Sequence, residues 1–104
     1  MKIVYNKFIP FKGFSAINIF GIIFARKGSV ITPRTINHEK IHTAQMRELG
    51  YIGFYVLYFL EWLYRLAVDT NRAYRAISFE VEAYANQYDY SYLESRKPYA
   101  MWRK

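Results

Sequence analysis

The sequence contains no cysteine. A disulfide framework and a thiolate metal site are therefore excluded, and any zinc held here must use imidazole and carboxylate. Only two histidines occur, so a three-histidine site is excluded too. Proline (three residues) and glycine (five) are scarce, and no linker rich in them divides the chain. There is no internal repeat and no low-complexity tract. No uncharged apolar run reaches the roughly 20 residues that a membrane-spanning helix needs. Acidic residues number eight against fifteen Lys and Arg.

Apolar side chains are abundant. Hydrophobic residues make up 53% of the chain and aromatics 20%, with eleven Tyr and eight Phe. That content argues against disorder, and 104 residues suffice for one domain, 1–104, with a modest core. The net charge of +7 points toward anionic partners such as nucleic acid, lipid head groups or acidic peptides. The basic residues are spread along the chain and are densest at Arg96, Lys97, Arg103 and Lys104. No nucleic-acid motif accompanies them, so nucleic-acid binding is not the expected role. A cytoplasmic location, with membrane association as a variant, suits a cysteine-free chain.

The two histidines bracket a glutamate in the run His38-Glu39-Lys40-Ile41-His42. This is HExxH, and chance supplies it roughly three times in a thousand chains of this length. On a helix, positions i and i+4 share a face, so both imidazoles can meet one metal ion. The carboxylate at Glu39 can then reach a metal-bound water. Thr32 and Pro33 suit the N-cap and first position of that helix, which is expected to run to about Leu49.

Ahead of it, residues 2–5, 15–20 and 22–25 read as strands, with a break at Pro10 and Gly13, a bend at Gly21 and a turn over residues 26–29. A small antiparallel sheet is the expectation. Residues 14–25 resemble a signal-peptide core, but no A-x-A site follows and Pro10 interrupts the region before it, so a secretion signal is not expected. Residues 51–68 form the most apolar stretch and predict a helix, expected to be buried, with a homodimer contact or a membrane-surface contact as its alternatives. Glu61 and Arg65 stand at i, i+4 within it and are expected to pair. A further helix is predicted over 71–88. The fold class is therefore α+β, a short N-terminal antiparallel sheet followed by about three helices.

A catalytic zinc takes three protein ligands and keeps one position open. The third ligand must be a carboxylate, from Asp69, Glu80, Glu82, Asp89 or Glu94. Glu80 and Glu82 sit about 200° apart round a helix, so only one of them can face the metal.

HExxH followed by Ser78-Phe79-Glu80-Val81-Glu82-Ala83-Tyr84 resembles the gluzincin pattern, and the second string is similar to the E-x-x-A-D segment of CAAX prenyl proteases and heat-shock membrane proteases. The small size resembles the minigluzincins. The resemblance covers roughly residues 30–87. It implies a zincin-like domain that binds zinc through His38, His42 and Glu80, with Glu39 as the general base. It also implies a peptide or protein substrate laid along the sheet edge as an added strand. One departure is Tyr84, where the family has an aspartate that orients a zinc-binding histidine. Asn37, Asn86 or a backbone carbonyl could take over that task.

The expected function is thus that of a minimal zinc-dependent metallopeptidase hydrolysing peptide bonds. A zinc-binding domain with little or no activity is the alternative, and a basic nucleic-acid-binding or membrane-surface protein stands behind it. Tyr84 or Tyr74 is the expected donor to the oxyanion. Residues 89–104 are expected either to pack on the surface or to cover the cleft, with Asp89 or Glu94 in the open metal position.

Overall fold

The computed structural model describes residues 2–7 and 16–102. The Pro10–Gly13 break and the basic pair Arg103 and Lys104 lie outside the described residues. Three strands, β1 (Ile3–Asn6), β2 (Ala16–Ile19) and β3 (Ile22–Arg26), precede five helices: α1 (Pro33–Glu48), α2 (Ile52–Val68), α3 (Ala73–Ala76), α4 (Ser78–Asn86) and α5 (Tyr92–Ser95). The class is α+β.

The sheet order is β1-β3-β2. β2 and β3 form an antiparallel hairpin in which Ile19 pairs with Ile22. Phe20 (φ 50°) and Gly21 (φ 89°) are its two turn residues, both left-handed as a tight two-residue hairpin requires. Phe20 bears that conformation with support, because its N–H donates to Tyr55 Oη at 2.9 Å and its ring packs edge-on to Tyr55. β1 pairs with β3 in parallel, so the sheet is mixed rather than wholly antiparallel. β1 and β3 are far enough apart in sequence for a crossover, which hydrophobic alternation alone does not reveal.

α1 begins as its sequence predicts. Thr32 is the N-cap, its side chain accepting from the Thr35 N–H at 3.2 Å, and Pro33 follows it. It ends in a glycine cap: Gly50 has φ 68°, and the Tyr51 N–H donates back to Met46 O at 2.7 Å. β2 is stitched to α1 by Asn18, whose amide donates to Glu39 O and Thr43 Oγ1, each at 2.9 Å.

α2 is not the buried helix its composition suggests. Of its residues only Phe54 is buried, packing with Met46, Ile77 and Phe79 in the core between α1, α2 and α4. Glu61 and Arg65 do not pair. Glu61 instead caps α4, accepting from the Ser78 N–H at 2.6 Å and Ser78 Oγ at 2.7 Å. The single helix predicted over 71–88 is two, because Ile77 is extended (ψ 131°) between α3 and α4. That break turns α4 so that Phe79, Glu80, Glu82 and Ala83 all face inward. No helix of the described residues is long and apolar enough to cross a membrane.

Candidate metal centre

α1 and α4 bring His38, His42 and Glu80 together. Glu80 Oε1 lies 3.2 Å from His38 Nε2 and 3.1 Å from His42 Nε2, and the two Nε2 atoms are 3.1 Å apart. Ligand atoms on a tetrahedral zinc, with bonds of about 2.0–2.1 Å, stand about 3.3 Å from one another. The triangle therefore has the size of one face of a zinc coordination tetrahedron. Among the described residues these three are the one His and carboxylate group gathered closely enough to hold a metal ion.

The protonation pattern points the same way. The Gln45 amide nitrogen donates to Phe79 O at 3.0 Å and to Glu82 Oε1 at 2.9 Å. Both partners are acceptors only, so Gln45 must turn its oxygen toward His42 Nδ1, 2.8 Å away. His42 Nδ1 then carries the proton, and the lone pair of a neutral His42 falls on Nε2. Gln87 Oε1 stands 2.9 Å from His38 Nδ1 in the same arrangement. Two ring lone pairs and a carboxylate oxygen thus converge at contact distance, which only a shared proton or a cation makes favourable.

In the protein as it stands a proton takes that part. Burial opposes a charged His42, but the hydrogen bond and negative charge of Glu80 outweigh it and push His42 up to about 9. Burial likewise opposes an ionised Glu80, yet its hydrogen bonds to His38 and His42 hold its carboxyl well below the usual carboxylate range. The second oxygen, Oε2, accepts from Tyr58 Oη at 2.7 Å, which fixes the carboxylate plane.

Glu82, the rival ligand, faces elsewhere. Its carboxylate accepts from Arg96 Nε at 2.6 Å, Tyr92 Oη at 2.7 Å and the Gln45 amide. Asp89 is occupied with the Ser91 N–H and hydroxyl, and Asp69 with the Asn71 N–H. Glu94 is solvent-exposed on α5. The tail packs beside α1 and α4, fastened through Arg96 to Glu48 and Glu82.

Glu39 lies beside the ligands, buried, with Oε2 lacking any hydrogen-bond partner. Burial raises the pKa of its carboxyl, the direction that suits a group exchanging protons near neutrality. It lines two cavities. One, about 360 Å³, is walled by Ile17, Met46, Phe54 and Tyr58 and reaches His42 and Glu80. The other, about 510 Å³, is polar and reaches His38, with Arg34, Arg75, Tyr84 and Tyr88 on its rim. Ala16 of β2 and Tyr74 of α3 line both. The cleft therefore runs past Glu39 beside Ala16 of β2, one of the two outer strands of the described sheet.

Of the two tyrosines expected at the site, Tyr84 packs its ring edge-on to His38, centroids 4.7 Å apart, under the Arg75 guanidinium at 3.8 Å. Tyr74 faces both cavities, and burial with the charge of Glu80 holds its phenol protonated, above the usual tyrosine range. The aspartate that the resemblance expects at Tyr84 is replaced by neither Asn37 nor Asn86. The Asn37 amide donates to the carbonyls of Asn86, Gln87 and Asp89, and the Asn86 amide to Glu82 O. Gln45 and Gln87 orient the histidines instead. They escaped the sequence reading, although each stands at helical spacing from a residue of the cluster: Gln45 three residues after His42, Gln87 seven after Glu80. Tyr58 carried no local signal at all.

No protein-family model, curated protein or solved structure matches this chain.

Proposed function

We propose that this protein is a minimal zinc metallopeptidase. The observation that carries the reading is the convergence of His38 Nε2, His42 Nε2 and Glu80 Oε1 at zinc-ligand spacing beside Glu39, whose buried Oε2 has no hydrogen-bond partner. When bound by these three residues, zinc supplies a Lewis acid for the scissile carbonyl and an acidified water. Gln45 and Gln87 hold the imidazoles with their Nε2 lone pairs inward, and Tyr58 holds Glu80. Glu39 takes the proton of the attacking water and returns it to the leaving amine. Tyr74, protonated and open to both cavities, is placed to donate to the developing oxyanion. The edge of β2 offers backbone groups that hold an extended peptide across the cleft. A cytoplasmic setting agrees with the absence of cysteine.

The test separates metal from turnover. Mass spectrometry of the purified chain should find about one zinc per molecule, lost in Glu80→Gln and retained in Glu39→Gln. A peptide library should be cleaved by the parent and left intact by Glu39→Gln. Zinc without cleavage would move the protein to the alternative reading, a zinc-binding domain without turnover. No zinc after incubation with excess metal would end both.

A further inference from the structure

α2 carries its polarity inside out. Its two charged residues, Glu61 and Arg65, share the packed side with Phe54 and Tyr58. At about 100° per residue these four positions fall within about 60° of the circumference, and Tyr55, which also packs against the core, lies about 100° round from Phe54. The rest of the circumference holds no charged side chain. Ile52, Val56, Phe59, Leu60 and Leu63 stand there between 44% and 63% exposed, with Trp62 and Tyr64 toward the edges. A patch of this kind on a small domain marks a surface that is covered in use.

We propose that this face lies in the surface of an anionic lipid bilayer. A partner helix covers a seam no wider than the usual apolar stripe of about 100°, flanked by charges. The exposed arc here, from Phe59 round to Val68, spans about 180° and holds no charged side chain. Two copies meeting through it would each bring a net charge of +7, whereas anionic lipid complements that charge. Arg47 and Arg72, which precede and follow α2 in the chain, are both exposed. At 17 residues α2 is about 25 Å long, and one side of it is held by protein, so it lies along the surface. The inference does not depend on the metal centre.

The test is co-sedimentation of the full chain with phosphatidylcholine vesicles, with and without phosphatidylglycerol. Binding should require phosphatidylglycerol. Leu63→Glu, at an exposed position, should keep the parent's circular dichroism and bind about tenfold or more weakly, since burying one leucine is worth roughly that factor. In Trp102→Phe, which leaves Trp62 as the one tryptophan, emission should shift to the blue with vesicles and be quenched by brominated acyl chains. No sedimentation, sedimentation indifferent to phosphatidylglycerol, or an unmoved Trp62 spectrum would each overturn the proposal. So would a lipid-free dimer that Leu63→Glu dissociates, which would give the face to a second copy.

Discussion

Gln45 Oε1 lies 2.8 Å from His42 Nδ1, and the other end of the same amide is committed to Phe79 O and Glu82 Oε1. One buried side chain therefore ties the Nδ1-protonated tautomer of His42 to the packing of α4. Replacing it with leucine should lower zinc affinity about 10- to 100-fold, the usual cost of losing a group that orients a ligating histidine. It should also remove about 1–3 kcal/mol of stability, because Phe79 O and the Glu82 carboxylate lose a buried donor. A chelator competition titration and a thermal melt measure the two effects. Unchanged zinc affinity would break the argument for tautomer control.

His42 makes the metal-free protein sensitive to alkaline pH. Its folded pKa, about 9, lies above its unfolded value of about 6.5. The stabilisation is therefore fully present below about pH 6.5 and is lost as pH rises through about 9. Zinc must displace the same proton, so its affinity should increase over that range with release of a proton. Denaturant titrations of chelated protein across this window should show falling stability, and Glu80→Gln should flatten the trend. A flat profile in the parent would mean that Glu80 does not hold the proton on His42.

Tyr74 and Tyr84 should separate in kinetics. Tyr74→Phe removes a protonated donor open to both cavities and should lower kcat about 10²-fold with little change in KM. Tyr84→Phe keeps the ring against His38 and under Arg75, and should stay within about threefold of the parent, since no transition-state donor is lost. Equal losses in the two variants would remove Tyr74 from the reaction.

Arg96 bridges Glu48 and Glu82 with its own side chain only 6% exposed. Truncating it to alanine leaves two carboxylates without their cation and should cost about 3 kcal/mol or more. In a domain of this size that lowers Tm by about 10 °C or more. Removal of residues 89–104 should do the same. A truncated chain that keeps its Tm and gains turnover would instead make the tail a cover for the cleft.

How much of this was legible in the sequence varies residue by residue. His38, Glu39 and His42 announce themselves because a helix repeats at 3.6 residues, and Thr32-Pro33 and Gly50 mark that helix's ends by local backbone chemistry. The choice of Glu80 over Glu82 was half legible. Helical geometry allowed one of the two to face the histidines, but the choice was made by Arg96, a cation distant in sequence that claims Glu82. Gln45 and Gln87 stand at helical spacing from His42 and Glu80 but nothing local marks them as partners, and Tyr58 was invisible, because hydrogen bonds between elements leave no periodic trace.

The sequence by itself determined what was absent and what was local: no thiolates, a net positive charge, an HExxH helix with its caps, and an α+β order of elements. Tertiary structure alone decided the parallel pairing of β1, the break at Ile77, the amides that set the histidine tautomers, and the direction α2 faces. Composition records that α2 is apolar, but burial depends on what packs against it. Here the packing reaches only the side that holds Phe54, Tyr55, Tyr58, Glu61 and Arg65.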